Sequence, residues 1–328
     1  MIKIKIGLLN KKRGNFKIQE KFAGTDRVID ETHKEVAHHK QALIDAGYEV
    51  CTINWGISFI KDLEDNKVDL VFNVSSMAEA AILEELEIPF VGSDTTAIAV
   101  STDKSLAKKI WESEGLQTSP FHVAKSVEDC SVFKNNPPFD CPLFIKPVAG
   151  RGSAGIDNNS IIENYEQLVK GVKEILNTIK QAVLIEKFLQ GTEITLGVIG
   201  NGNDIEVLLP LEISFSGEAR FLTFDKKEID DDSFYCPARL NDEEMSKIKE
   251  LAKNAYRAIG FKDYGRIDII LTKEGPFLLE GNSFAGLMCT PKEKPHSYIG
   301  FMAVAGNMDS AELIDKIVKS ALKRYKIM

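Results

Sequence analysis

A chain of 328 residues is too long for one ordinary hydrophobic core, so two or three subdomains are expected. Its hydrophobic fraction of 44% and charged fraction of 27% are those of a folded globular protein and exclude a largely disordered one. A formal net charge of −8 argues against a general nucleic-acid or membrane-surface binder, which needs a basic face, but leaves room for a local basic pocket that takes a phosphate.

The first residues alternate apolar and charged side chains as a strand does, over 2–9, and Lys3 and Lys5 break what would otherwise resemble a signal peptide. No uninterrupted apolar run of about 18 residues follows, so no membrane span is expected. The five cysteines (Cys51, Cys130, Cys141, Cys236, Cys289) lack CxxC spacing and read as free thiols in a reducing cytosol, which makes the protein cytoplasmic. Cys289 after a Gly-rich turn is weighed as a nucleophile, with only His296 near it in sequence.

In chain order, a helix over 28–46 stops at Gly47; strands follow at Tyr48–Ile53 and Asp69–Val74, a helix at 78–87 and a short strand at Pro89–Gly92. This is an α/β sheet unit. Residues 94–115 form one or two helices, the second opened by Asp103–Lys104. Then come strands at His122–Lys125 and Pro142–Val148, the loop Ala149–Asn159, a helix near 161–179 and a strand at Ala182–Leu189. The remainder predicts long strands at 193–200 and 204–215, a helix at 241–259, a hairpin of Tyr264–Thr272 and Pro276–Asn282 around Lys273-Glu274-Gly275, and a helix at 309–325. Boundaries by element order fall near 92 and 181, giving segments 1–92, 93–181 and 182–328.

On the hairpin, Arg266 and Asp268 are two apart and share a face, as do Glu280 and Asn282. Two carboxylates, an amide and a guanidinium among Ile267, Ile269, Ile270, Leu278 and Leu279 are costly unless something neutralises the charge. An oxygen-only donor set suits Mg²⁺ or Mn²⁺ held partly by substrate phosphates; a solvated strand face with a surface ion pair is the plainer alternative.

Gly150-Arg-Gly-Ser-Ala-Gly155 matches GxGxxG, the pattern of a nicotinamide-dependent oxidoreductase. That fold needs a helix at the loop, and Ile156-Asp-Asn-Asn-Ser160 intervenes. Lys146, in the apolar strand before the loop, points instead to an anion: loop N–H groups and a strand lysine can hold phosphates. Glu186 and Lys187 end another apolar strand, where backbone groups can read an adenine edge, and Glu193 after Gly191 can accept ribose hydroxyls.

Taken together, Thr102-Asp-Lys-Ser, Phe144-Ile-Lys-Pro-Val-Ala-Gly-Arg-Gly-Ser-Ala-Gly155, Leu184-Ile-Glu-Lys-Phe-Leu, Gly191-Thr-Glu-Ile-Thr, Tyr235-Cys-Pro-Ala238, Gly265-Arg-Ile-Asp268 and Leu279-Glu-Gly-Asn-Ser-Phe-Ala-Gly286 resemble the D-alanine–D-alanine ligases, within the ATP-grasp carboxylate–amine ligases. The resemblance runs from about Asp69 to the end. It implies an α/β (α+β) ATP-grasp fold behind an N-terminal parallel-sheet domain, with 93–181 and 182–328 as central and C-terminal ATP-grasp subdomains. It implies ATP and Mg²⁺ (or Mn²⁺) as cofactors, small amino-acid or carboxylate substrates, no nucleic-acid or membrane partner, and room for a homodimer.

Position by position, the resemblance implies that Lys104 and Lys146 touch the ATP phosphates, with Ser153 in the loop over them. Glu186, Lys187 and Leu189 line the adenine, Glu193 takes the ribose, and Lys227 (or its neighbour Lys226) is a further phosphate lysine. Asp268, Glu280 and Asn282 match a two-magnesium site, Arg266 an oxyanion-stabilising arginine, and Gly286 a backbone contact to the intermediate. The chain departs from the family in Leu8–Asn15, which lacks the Gly-Gly-x-Ser-x-Glu pattern, and in Asn73–Glu79, which stands where a His-Gly-x-x-Gly-Glu-Asp-Gly stretch belongs. It departs again at Gly152 and in Leu287–Pro291. ATP chemistry therefore carries over while D-alanine as either substrate does not, which favours a ligase for another amino-acid or carboxylate substrate over the close alternative of a true D-alanine–D-alanine ligase. Glu79 is a candidate for the missing amino-group partner, with a helix first-turn carboxylate as the plainer reading. A nucleotide-binding or kinase-like protein without ligation is the other alternative.

Overall fold

The computed structural model describes residues 3–10, 25–56, 58–149, 158–214, 233–292 and 295–327. Strand β1 (Lys5–Asn10) lies between β2 (Glu49–Asn54) and β3 (Leu70–Phe72) in a parallel sheet. Ile6, Leu8 and Leu9 are all fully buried, as a central parallel strand covered on both faces requires. Helix α1 (Thr25–Asp45) is the crossover, closed by Gly47 at φ +93°. Helix α2 (Phe59–Asn66), which the sequence pattern did not signal, precedes β3. Helix α3 (Met77–Glu85) follows β3, and the expected strand at Pro89–Gly92 reduces to a single bridge between Val71 and Phe90.

Helix α4 (Thr95–Thr102) runs into α5 (Lys104–Ser113), and Asp103 separates them by accepting the N–H groups of Ser105 and Leu106. A four-stranded antiparallel sheet then forms from β4 (Phe121–Ala124), β5 (Leu143–Pro147), β6 (Ile161–Ile162) and β7 (Val183–Lys187), in the order β4-β7-β5-β6. Short helix α6 (Val132–Asn135) and α7 (Tyr165–Thr178) lie beside it; Leu168 and Val172 of α7 share a core with Ile145 and Ile185. The helix expected near 161 starts later because Ile161 and Ile162 pair with β5.

The remaining described strands are β8 (Thr192–Ile199), β9 (Glu206–Val207), β10 (Leu211–Ser214), β11 (Ser233–Tyr235), β12 (Tyr264–Thr272) and β13 (Gly275–Asn282). They form the order β11-β10-β8-β12-β13, with β9 also on β8. The single strand expected over 204–215 is two pieces, since Pro210 has no N–H for a ladder. Helix α8 (Asp242–Ala258) starts at a reciprocal Asn241–Glu244 cap and buries Ile248, Ala252, Ala255 and Tyr256 against this sheet.

Helices α9 (Tyr298–Ala305) and α10 (Ser310–Arg324) end the chain; α9 was not anticipated. Leu313, Ile317 and Val318 of α10 share one core with Ile6, Leu8 and Leu70 of the parallel sheet. Arg324 locks that return, donating to Asp263 Oδ2 at 2.6 Å and to the Phe90 carbonyl at 2.8 Å. Among the described residues no helix is long and apolar enough to cross a membrane.

Candidate active site

Strands β12 and β13 pair with Arg266 opposite Asn282 and Asp268 opposite Glu280, so the four groups share one face as their spacing predicts. A bulge after Asp268 lets Ile269 and Ile270 re-enter the ladder against Leu278 and Phe277. Asp268 is the hub: Arg266 Nε and Nη2 donate to its two oxygens at 2.8 and 2.7 Å, Thr195 Oγ1 at 2.5 Å, and Asn282 Nδ2 at 3.0 Å. Burial works against the guanidinium's charge, yet Asp268 outweighs it and holds Arg266 above its ordinary value. The Arg266 guanidinium also lies 5.1 Å from the Tyr298 ring centroid.

The three candidate metal ligands are thus together, with oxygen donors of the kind a hard divalent cation takes. Among the described residues no cluster of three or more His, Cys, Asp or Glu side chains is set for a metal. The third protein ligand would be the Asn282 amide oxygen, with phosphate oxygens or water completing the shell. Its Nδ2 now faces Asp268 and also Glu280 Oε1 at 3.4 Å, so holding a cation requires turning the amide over.

A second charged group faces this one. Lys146 on β5 is buried, with its ammonium 2.6 Å from Glu186 Oε2 on the neighbouring β7. Burial disfavours the Lys146 charge, but Glu186 and then Glu280 hold it, and the net shift is upward. Burial likewise raises the Glu186 carboxyl, and Lys108 and Lys146 overcome it, leaving the group at about 2. Lys104, the first residue of α5, donates its backbone N–H to the Val148 carbonyl and places its ammonium 3.8 Å from Glu280 Oε2. Burial lowers Lys104, with Glu280 opposing. The Lys104–Glu280 pair joins the lysine cluster to the carboxylate hairpin.

Glu193 projects from the start of β8 and contributes to the field at Lys146. The turn before it needs Gly191, because a Cβ there would lie 2.2 Å from the Leu271 carbonyl oxygen. Lys187 is exposed, its N–H held by the Pro120 carbonyl, and Leu189 is half-buried. Ser153, Lys226 and Lys227 lie outside the described residues, as does most of the Gly-rich loop. The sequence reading missed Lys108, Thr195 and Tyr298. Lys108 stands one helical turn from Lys104 on α5, where Ala107 and Trp111 are also buried.

Beyond the hairpin, a Cβ on Gly286 would sit 3.0 Å from Ser297 Cβ, so the chain passes close to the start of α9. Ser297 caps α9 through Gly300 N and donates to the Met288 carbonyl at 3.1 Å. Thr290 Oγ1 reaches His38 Nδ1 of α1 at 3.3 Å. Next to it His39 is buried edge-on against Phe72, 5.4 Å between centroids. Glu79 Oε2 accepts the N–H groups of Ser75 and Ser76 at 2.7 and 3.2 Å, in a reciprocal cap with Ser76 at the start of α3. Cys289 is buried and burial raises its thiol, which disfavours the thiolate a nucleophile needs. All five cysteines are free.

A family model described as D-ala D-ala ligase C-terminus matches residues 110–319. The chain is 30% identical over 289 residues to the D-alanine–D-alanine ligase of Bordetella petrii, covering 86% of this chain and 84% of that one. It belongs to the D-alanine–D-alanine ligase family. The ligases of this family form C–N bonds, and this chain is one of them. Against the ligase of Desulforamulus reducens identity is 30% over 301 residues, 87% of this chain and 91% of the relative. The D-alanine–D-alanine ligase of Bacillus anthracis, in a structure complexed with ATP, superposes with a TM-score of 0.76 at 20% identity over 99% of both chains. VanG D-Ala:D-Ser ligase from Enterococcus faecalis gives 0.72 at 21% identity over 97% of this chain and 99% of that one. These neighbours share the ATP-grasp fold, and the nicotinamide-dependent reading of Gly150–Gly155 falls.

Proposed function

We propose that this ligase uses ATP and a divalent cation to join the carboxylate of one small amino acid to the amine of another. The observation that carries the reading is the Lys104–Glu280 contact of 3.8 Å, which makes the lysines beside Glu186 and the carboxylates of the hairpin one charged cleft. A triphosphate would take the place of Glu280 beside Lys104, and a divalent cation the place of the lysine beside the carboxylates.

In the first step an oxygen of the substrate carboxylate attacks the γ-phosphorus, the β–γ bridging bond breaks, and ADP leaves an acylphosphate. Lys104 and Lys146 neutralise charge on the transferring oxygens. Mg²⁺ held by Asp268, Glu280 and Asn282 would supply Lewis-acid neutralisation at those oxygens. In the second step the amine attacks the acyl carbon, Arg266 stabilises the oxyanion from a side chain fixed by Asp268, and phosphate departs with one former carboxylate oxygen. In this reading Glu193 accepts ribose hydroxyls, Glu186, Lys187 and Leu189 line the adenine, and the Gly286 backbone contacts the intermediate. The free thiols suit a cytoplasmic setting.

The stretches that would receive the organic substrates, Leu8–Asn15, Asn73–Glu79 and Leu287–Pro291, depart from the family pattern, and Thr290 in the last of them meets His38. The substrates are therefore proposed to be small amino acids or carboxylates not restricted to D-alanine. ADP release with Mg-ATP against D- and L-amino acids, dipeptides and simple carboxylates tests this. ADP formed only when a carboxylate and an amine are both present supports ligation; tight ATP binding without turnover for any pair would sink it.

A further inference from the structure

Lys108 has no exposed surface, and its ammonium is fully engaged. It donates to Thr118 Oγ1 at 2.6 Å and to Ser119 Oγ at 2.7 Å, and pairs with Glu186 Oε1 at 2.7 Å. An ammonium has three hydrogens, so no strong donor remains for a nucleotide. The bonds continue outward. Ser119 Oγ donates to Glu186 Oε1 at 2.8 Å, and Thr118 Oγ1 donates to the Leu278 carbonyl of β13 at 2.8 Å, two residues before Glu280. Lys108 therefore stands where the sheet bearing Lys146 meets the sheet bearing the carboxylate hairpin.

Glu186 holds Lys108 on one oxygen and Lys146 on the other. With one ammonium as partner, the carboxylate would cancel the Lys146 charge. With two, the trio keeps a net charge of about +1 beside Lys104, by simple charge addition over ionised groups. Burying such a trio contributes little to stability compared with apolar packing of the same volume, so stability alone is a weak reason for it. We propose that Lys108 is a positioning residue: through Glu186 it orients Lys146 and keeps its charge available to the phosphates, and through Thr118 it sets β13 and Glu280 against the lysines. The inference rests on the nucleotide-binding reading above.

The test measures affinity for a Mg²⁺-bound non-hydrolysable ATP analogue, and KM for ATP and for the organic substrates, in the wild type and in Lys108→Met, Glu186→Gln and the double variant. Lys108→Met is expected to weaken analogue binding and raise KM for ATP by about tenfold or more, with KM for the organic substrates within about twofold. Because Lys108 and Glu186 act on the same lysine, their losses should combine to less than their sum in the double variant. Unchanged ATP affinity in folded Lys108→Met, or losses that simply add in the double variant, would overturn the inference. Should Lys108→Met not fold by circular dichroism, Thr118→Val decides: a severalfold rise in KM for ATP supports the link to β13, and no change overturns it. A wild type that does not bind the analogue overturns the nucleotide reading, and the inference with it.

Discussion

Asp268, Arg266 and Asn282 of the hairpin interlock with Thr195 of β8 at 2.5–3.0 Å, and Glu186 sits 2.6–2.7 Å from two ammonium groups across the cleft. Around His38, His39 and Thr290 the packing is looser in its polar contacts. Among the described residues, His38 Nε2 and both ring nitrogens of His39 are buried without a well-formed hydrogen bond, and Glu35 Oε1 is 4.0 Å from His39 Nε2. A site for a constant ligand can be fixed by mutual side-chain bonds before the ligand arrives. Thr290, which His38 meets, lies in the Leu287–Pro291 stretch where the chain departs from the family pattern. Side chains at the first end are expected to govern turnover, and those at the second to govern selectivity and pH response.

The largest expected effect lies at the charged end. Asp268→Asn and Glu280→Gln, which keep shape, should each lower kcat by about 10³-fold or more with the fold retained, since each removes a metal-bearing carboxylate. Steady-state rates across a Mg²⁺ series check this, and near-normal turnover would remove these residues as ligands. The next effect is on stability at the other end. Burial pushes His39 down to about 3 from an ordinary 6.5, with His38 adding to the shift and Asn73 opposing it. The unfolded chain takes up a proton below 6.5 that the folded one refuses, so stability falls as pH drops from 6.5 towards 3. His39→Phe should remove up to about 1.4 kcal/mol per pH unit of that slope, read from melting temperatures between pH 6.5 and 4.5. An unaltered slope would mean that His39 is protonated in the folded protein.

His38→Ala should raise KM for one organic substrate by about tenfold or less while leaving KM for ATP in place, the size of one lost side-chain contact. A change confined to ATP would reverse the assignment of the two ends. Smallest of all is Cys289→Ala, expected to leave turnover unchanged because the thiol is buried and held protonated. Loss of activity with the fold intact would reopen the nucleophile.

What could be read from the sequence follows the same division. The carboxylate hairpin was legible because alternation on β12 and β13 fixes which side chains share a face, and the bulge falls after Asp268 rather than before it. Lys146 and Glu186 were legible as charges inside apolar strands. Lys108 was not singled out, since a lysine on an amphipathic helix usually reaches solvent and only the tertiary fold buries this one. Helix α9 was missed because Tyr298–Ala305 is apolar on every side and carries no helical stripe. The meeting of His38 with Thr290 joins residues 252 positions apart, a contact no local pattern encodes.

The most direct test of the two-step ligation uses a carboxylate substrate labelled with ¹⁸O in both oxygens, incubated with Mg-ATP and the amine. Activation of the carboxylate by phosphoryl transfer followed by attack of the amine predicts one ¹⁸O in each phosphate released and one left in the amide product. Released phosphate free of label, alongside amide formation, would contradict an acylphosphate.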